Sequence, residues 1–182
     1  MPGGNARARG QGRWRLRTGM VVLLLLLAAG FVLPERAIVP VLGATARDWH
    51  PESFWYSPWG ASGVHKGIDI FAPERTPAIA AVPGIVVYRG ELSAGGRVVA
   101  ILGPKWRVHY YAHLTEFTPV RRVRRGEVVG RVGSTGNAVG KPPHLHYSVI
   151  SLVPLPWRIT REAQGWKKAF YLDPVAVFGA RR

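Results

Sequence analysis

Residues 85–103 read IVVYRGELSAGGRVVAILG, two runs rich in Val and Ile on either side of a Gly-Gly pair. β-branched residues favour extended backbone, and paired glycines between two such runs are typical of a hairpin turn. The stretch therefore predicts two antiparallel strands joined near Gly95 and Gly96. Further segments of the same composition follow: RVHYYAHL at 107–114, EVVGRVG at 127–133 and HLHYSVI at 144–150.

These segments follow one another at short and nearly even intervals, and Gly or Pro separates them. Because residues 50–156 show no convincing helical period, we predict a mostly β domain. Its antiparallel sheet is expected to form a sandwich or a partly open barrel. Residues 157–171 are compatible with either a long hairpin or a surface loop. The final YLDPVAVF at 171–178 is predicted to close the domain by packing on its core.

The N-terminal region has the composition of an export signal. Residues 1–19 hold five arginines and no acidic residue, and an unbroken apolar run follows at residues 20–33. We predict a basic cytoplasmic region at 1–19 and a signal anchor or cleaved signal peptide at 20–43. A linker at 44–54, the main domain at 55–178 and a frayed tail at 179–182 are expected to follow. The rest of the chain is then exported, and it is either anchored in the inner membrane or free in the periplasm.

The formal charge of +15 is shared by both parts of the chain, and nineteen basic and nine acidic residues lie beyond residue 36. For an exported domain this charge favours anionic envelope polymers or lipid head groups as partners, and not nucleic acid. The cluster at residues 121–125, RRVRR, either contacts such a partner or is a solvated surface. The absence of cysteine excludes disulfides and leaves histidine and carboxylates as ligands for any metal.

Histidines recur in three of the segments. In a strand His144 and His146 would project to one side, either as a site or as a solvated surface. His65 and Asp69 are four residues apart, about 13 Å if extended, so a turn at Gly67 would be needed to bring them together. By the same alternation His113 would share a strand face with residues 109 and 111, and His109 is expected to be structural or on the surface.

Imidazole and carboxylate are the ligand types that zinc takes where cysteine is absent. A catalytic zinc uses three protein ligands and one open position, and further histidines beside it can move protons. Spacing alone does not separate the ligands from the proton-transfer residues, and the chain has no helical HExxH motif.

The ordered strings HKGIDIFAP, PGIVVYRG, YYAHL, VRRGEVVGRVGSTGN and HLHYSV resemble the lysostaphin-type (LytM-like) zinc metallopeptidases, which cleave peptide bonds in peptidoglycan. The resemblance covers roughly residues 55–150. It implies one zinc ion per chain held by His65, Asp69 and His146, with His113 and His144 as catalytic residues. It further implies a zinc endopeptidase whose substrate is a peptidoglycan stem or cross-link. The insertion at residues 157–170 has no counterpart in this pattern.

Two other functions compete with this interpretation. A non-catalytic LytM-like regulator or cell-wall-binding module that activates an amidase would usually lack ligands, yet all five site residues are present. A biotinyl or lipoyl carrier would need a lysine at a hairpin tip, and the Gly95-Gly96 turn contains none. Aromatic residues Trp55, Tyr56 and Trp59 either line a groove or pack in the core.

Overall fold

The N-terminal helix is the first of two units, which divide after Pro34 in a computed structural model that describes residues 5–179. Helix α1 spans Asn5–Val32, and its part Trp14–Val32 is long and apolar enough to cross a membrane by length and composition. Helix α1 covers residues 20–32 of the signal segment predicted at 20–43, and the role of that segment stays a prediction. From Glu35 onward the chain belongs to the second unit.

The second unit is mostly antiparallel β-sheet, as predicted from the alternating segments. Between residues 35 and 179 its strands are β1 (Ile68–Phe71), β2 (Pro77–Ile79), β3 (Gly84–Leu92), β4 (Gly96–Gly103), β5 (Arg107–Leu114), β6 (Glu116–Phe117), β7 (Arg122–Val123), β8 (Val128–Arg131), β9 (His144–Ser151) and β10 (Tyr171–Leu172). A short helix, α2, spans Pro174–Val177.

Two open sheets result from the pairing of these strands. Seven strands form the larger sheet in the order β1-β9-β5-β4-β3-β7, with β10 also paired to β9, and three form the smaller in the order β2-β8-β6. The hairpin predicted at Gly95 and Gly96 is confirmed, since Leu92 of β3 pairs with Gly96 of β4. Strands β5 and β9 are neighbours near the middle of the larger sheet, which places their histidines side by side.

The core lies against the larger sheet and is built from alternate residues of its strands. Its largest fully buried side chains include Tyr111, Tyr147, Ile68, Ile70, Ile101 and Leu145. The rings of Tyr111 and Tyr147 meet edge to face with centroids 5.2 Å apart. This contact fixes which faces of β5 and β9 point into the core, and therefore which faces remain for a site.

Residues 35–54 are packed on the sheets and do not form a separate linker. The Ile38 N–H donates to Ala81 O at 3.0 Å, and Val41 forms a bridge with Ala78. Trp49, inside the expected linker 44–54, is buried and contacts Phe178 edge to face at 6.2 Å. The compact unit thus begins at Glu35, where the sequence analysis expected a domain beginning at residue 55.

The insertion at residues 157–170 contains short helical turns where a hairpin or loop was expected. The turns span Pro156–Arg158 and Gly165–Ala169. The Trp55 indole N–H donates to Ala163 O at 3.1 Å, which ties the insertion to the segment preceding β1. After it, Leu172 and Val175 are buried, so the prediction that the last segment packs on the core is confirmed.

Candidate metal centre

Strands β1 and β9 bring two distant polar side chains together. Their antiparallel register pairs Asp69 with His146 and Phe71 with His144. Directly paired residues of an antiparallel sheet project to the same face, so the carboxylate and the imidazole meet above it. His65 lies just before β1 and is almost completely buried.

Three atoms from these residues converge on one point. His65 Nε2 lies 3.1 Å from Asp69 Oδ1 and 3.1 Å from His146 Nδ1, and Asp69 Oδ1 lies 2.8 Å from His146 Nδ1. The pairing of β1 with β9 and the segment just before β1 together bring the two histidines into contact across 81 residues of sequence. A compact triangle of two nitrogens and one oxygen results.

Backbone carbonyl groups fix the protonated nitrogen of three site histidines. A carbonyl oxygen only accepts, so the ring nitrogen facing it must be the donor. The Nδ1–H of His65 donates to Ser53 O at 2.9 Å, that of His113 to Thr135 O at 2.8 Å, and that of His144 to Pro142 O at 2.8 Å. In the neutral ring, each Nε2 then carries a lone pair, which it presents to the site.

This arrangement fits a cation better than it fits hydrogen bonds. His65 Nε2 is an acceptor in the neutral ring, and it faces the acceptor Asp69 Oδ1 at 3.1 Å. Two acceptors at that distance repel each other unless a positive charge lies between them or beside them. Two imidazole nitrogens and a carboxylate oxygen are also a donor set that suits zinc.

His113 and His144 lie beside the triangle. Their ring centroids are 5.0 Å apart, His113 is 6.0 Å from the ring of His146, and His144 Nε2 is 4.0 Å from Asp69 Oδ2. The structure thus brings together all five residues that the sequence analysis singled out. Two of them remain outside the triangle of converging atoms, with their Nε2 atoms free of backbone hydrogen bonds.

His113 does not project to the same side of β5 as His109 and Tyr111, although strand alternation predicted that it would. Tyr111 contacts Tyr147 in the core, and His109 Nδ1 bonds with the hydroxyl of Tyr147 at 2.6 Å on that same side. His113 has a left-handed φ of 65°, which breaks the alternation at the end of β5 and turns its ring to the opposite side. His109 is therefore structural, one of the two roles expected for it.

Burial controls the ionisation of the site. Burial lowers the pKa of His113 to about 4, and the neighbouring His146 adds to this effect. Burial also lowers the pKa of His146, against the opposing effect of Asp69. Burial alone would raise the pKa of Asp69, but the hydrogen bond with His146 holds it well below its usual range. At neutral pH the site therefore combines an ionised carboxylate with a neutral His113.

Two further side chains support the ligand residues and were not predicted as part of the site. Ser148 Oγ lies 3.0 Å from His146 Nε2, on the ring edge opposite the triangle. Its position two residues after His146 on the same strand was the available sequence signal. Trp59 stacks on His65 with centroids 4.1 Å apart and an interplanar angle of 17°. Trp55, by contrast, is buried, so the aromatic segment contributes both to the core and to the site.

Gly67 has a different role from the one expected for it. The chain does bend there, but without a left-handed φ. A Cβ at this position would lie 2.4 Å from Tyr147 O and 2.6 Å from Ser148 Oγ. Glycine is needed because the backbone between His65 and Asp69 passes directly over β9.

Open antiparallel sheets with a histidine cluster on the central strands define a lysostaphin-like fold class. The catalytic domain of lysostaphin from Staphylococcus simulans superposes with a TM-score of 0.55 at 24% identity, covering 70% of this chain and 90% of that domain. The chain belongs to peptidase family M23, whose model matches residues 63–154.

Two relatives carry the names of cell-wall peptidases. The chain is 42% identical over 85 residues to the DD-carboxypeptidase/endopeptidase Mpg of Neisseria meningitidis, covering 46% of this chain and 19% of that protein. It is 35% identical over 113 residues to the L-Ala--D-Glu endopeptidase of Bacillus subtilis, covering 56% and 35% respectively. The match thus spans about a third or less of the length of these relatives.

Proposed function

We propose that the protein is a zinc-dependent endopeptidase that hydrolyses peptide bonds in the stems or cross-links of peptidoglycan. The observation that carries the proposal is the convergence of His65 Nε2, Asp69 Oδ1 and His146 Nδ1, with atoms 2.8–3.1 Å apart. Membership of family M23 and the names of the relatives support a peptidase acting on the cell wall.

In this proposal His65, Asp69 and His146 hold one zinc ion per chain. The ion would supply Lewis acidity, lowering the pKa of water to about 7 and polarising a carbonyl group. Asp69 contributes the negative charge of the ligand set, and its lowered pKa keeps it ionised in the metal-free protein at neutral pH. Ser148 holds the remaining nitrogen of His146 in place.

His113 and His144 are proposed to move the protons of the reaction. Each has its Nδ1–H committed to a backbone carbonyl, so Nε2 is available to accept a proton. One ring takes a proton from the attacking water as the oxygen–carbon bond forms. A proton then passes from imidazole to the leaving amine as the carbon–nitrogen bond breaks. The division of these two roles between the rings is left open.

Helix α1 and the positive charge support a location outside the cytoplasm. An apolar segment preceded by five arginines is proposed to keep its basic end in the cytoplasm, with the globular unit exported. The protein then acts from the inner membrane, or in the periplasm if the segment is removed. Peptidoglycan peptide is the proposed substrate at this location.

The test uses the full chain purified in detergent, compared with variants His146→Ala, His113→Ala and His50→Ala. His50 is an exposed histidine outside the site and provides the matched control. We expect about one zinc per chain in the unsubstituted protein and in His50→Ala, with muropeptide release from isolated peptidoglycan. His146→Ala should lose both, whereas His113→Ala should keep zinc and release peptides about 10²–10⁴-fold more slowly.

Other outcomes separate the competing functions. Zinc binding without any peptide release would favour the non-catalytic regulator that activates an amidase. Absence of zinc from the unsubstituted protein would overturn the proposed mechanism. Equal losses in His146→Ala and His50→Ala would show that histidine replacement damages the fold and would remove the support for a specific site.

A further inference from the structure

Four exposed arginines lie close together at the edge of the larger sheet. Arg121, Arg122, Arg124 and Arg125 surround the buried Val123 on and beside β7, and we call these four residues the basic edge. Among the side chains of residues 14–179, none of the four forms an ion pair. No carboxylate of the described residues neutralises their guanidinium charges, which can therefore attract an external anion.

Local structure keeps these side chains pointing outward. Val123 packs into the core, which leaves its neighbours on the solvent side of the short strand. The nearby acid, Glu127, accepts the backbone N–H of Arg124 at 2.9 Å, so its carboxylate is engaged with the main chain. The turn at Gly126, with φ of 87°, completes this loop.

Apolar side chains accompany the arginines. Ile85 of β3 pairs in register with Arg122 and is 45% exposed, and Val87, at an irregularity of β3 two residues later, is 52% exposed. Exposed aliphatic groups beside uncompensated arginines form an amphipathic surface. Such surfaces suit the interface of an anionic membrane, where apolar groups enter the acyl boundary and cations meet phosphate.

The basic edge contacts the first residues of the globular unit. The Arg125 guanidinium donates to Arg36 O at 3.0 Å. Arg36 follows Val32, the last residue of α1, by only four residues, which span at most about 14 Å when fully extended. If α1 lies in a membrane, this short connection allows the basic edge to reach the membrane surface.

We propose that the basic edge binds anionic phospholipid head groups at the outer surface of the membrane in which α1 is anchored. A guanidinium group can donate two hydrogen bonds to one phosphate. Each basic residue near an anionic membrane surface strengthens binding roughly fivefold, and the attraction decays over a Debye length of about 8 Å at physiological salt. This contact would hold the catalytic unit close to the bilayer. It does not depend on the proposed peptidase activity.

The test measures docking in full-length protein carrying one fluorescent label. Because the chain contains no cysteine, Val87→Cys provides a unique attachment point for an environment-sensitive dye. The protein is placed in nanodiscs of phosphatidylcholine alone, or with about one-third phosphatidylglycerol. We expect a blue shift and quenching by spin-labelled lipid in the anionic discs, both largely lost in phosphatidylcholine and at high salt.

Matched charge variants make the test specific. Arg122→Gln/Arg124→Gln should weaken docking roughly 25-fold, at about fivefold per arginine. Arg47→Gln/Arg161→Gln removes two exposed arginines elsewhere and should leave docking unchanged. Peptide release in detergent should be the same for both pairs, which separates this inference from the proposed enzyme function.

Three outcomes would overturn the inference. A label that stays in water in both kinds of disc excludes membrane docking. Equal docking to neutral and anionic discs shows apolar insertion without head-group recognition by the arginines. A response to soluble poly(glycerol phosphate), but not to anionic discs, assigns the surface to a wall polymer and not to lipid.

Discussion

Ser148 orients the ring of His146 from the side away from the converging ligand atoms. Its hydroxyl lies 3.0 Å from His146 Nε2 and is buried. Partners of this kind set the direction of a metal-binding imidazole, and their loss typically lowers metal affinity 10–100-fold. We therefore predict that Ser148→Ala lowers zinc affinity by about 10–100-fold, as measured by competition with a chelator.

Ser151 provides the control for this prediction. It is also a buried serine of β9, but its hydroxyl donates to Val153 O at 2.6 Å, away from the site. Ser151→Ala removes the same group from the same strand and should leave zinc affinity unchanged. Equal affinities for the two variants would contradict a role of Ser148 in holding His146.

His113 makes the stability of the metal-free protein depend on pH. Burial and the neighbouring His146 lower its pKa to about 4, whereas an unfolded histidine titrates near about 6.5. Between these values the unfolded chain binds more protons than the folded protein. The free energy of unfolding therefore increases as the pH rises and decreases as the pH falls. We expect this rise in urea unfolding of the metal-free protein between about pH 4 and 6.5.

Replacing the histidine tests the assignment. His113→Gln should make the rise between about pH 4 and 6.5 smaller, because one group no longer takes up a proton on unfolding. His50→Gln, at an exposed position, should leave it unchanged. Identical pH profiles for the unsubstituted protein and His113→Gln would assign the dependence to other groups.

Side chains in the site were more accessible to sequence reasoning than the backbone groups that hold them. The resemblance to known peptidases selected His65, Asp69, His113, His144 and His146, and the structure brings these residues together. Their separate roles remain predictions. The carbonyl acceptors at Ser53, Thr135 and Pro142 had no sequence signal, because every residue carries a carbonyl and only the fold aims it.

The geometry of the site depends on the register between strands β1 and β9. A shift of one residue would move Asp69 to the opposite face from His146. Gly67 allows the close approach that this register requires, since a Cβ would meet Tyr147 O at 2.4 Å. We predict that Gly67→Ala costs about 1–3 kcal/mol in the free energy of unfolding and also lowers zinc affinity.

Gly43 separates local strain from damage to the site. Its φ is 78°, and no atom lies within 4 Å of a Cβ built there. Gly43→Ala should cost about 1–2 kcal/mol through backbone strain while leaving zinc affinity unchanged. Urea unfolding and chelator competition measure the two effects, and unchanged zinc affinity in Gly67→Ala would contradict the register argument.

Strands were predicted more successfully than the insertion because their signal is local. Alternating apolar residues and glycine turns identified the hairpin at Gly95 and Gly96, which the structure confirms. The turns at Pro156–Arg158 and Gly165–Ala169 depend on distant partners. One such partner is Ser62, whose backbone O accepts a hydrogen bond from the Gln164 side chain at 2.8 Å. No periodicity within residues 157–170 encodes such a contact.

Glu35 is the first residue of the globular unit, and its side chain is held in the interior of that unit. Its side chain is 3% exposed and pairs with Arg107, and it also lies 3.4 Å from His109 Nε2. Removing one partner of a buried ion pair leaves the other charge uncompensated. We predict that Glu35→Ala lowers the free energy of unfolding by about 3–5 kcal/mol in urea titrations.

An exposed ion pair is the matched control. Glu91 pairs with Arg97 at 3.1 Å, with its side chain 71% exposed. Glu91→Ala should change stability by no more than about 1 kcal/mol, because water screens this pair. Similar effects of the two substitutions would show that the Glu35 contact does not anchor the beginning of the unit.

The extent of the globular unit was the feature that sequence reasoning placed least well. Residues 35–54 lack an alternating pattern, so they were divided between a signal segment and a linker. Val41 and Trp49 are buried only because Ala78 and Phe178 lie beside them in the fold. Burial created by residues far away in the chain leaves no local signature.

The backbone carbonyls behind the site histidines also bear on how this sequence can evolve. Any amino acid at position 53 presents the same oxygen to His65, and the Ser53 hydroxyl itself has no hydrogen-bond partner within the described residues. Other side chains that fit the space of the buried hydroxyl can therefore replace the serine without loss of this hydrogen bond. An insertion or a deletion is different from a substitution. It shifts the backbone by one residue and moves the carbonyl group away from the His65 ring. Around this site, natural selection should tolerate substitutions more readily than insertions and deletions.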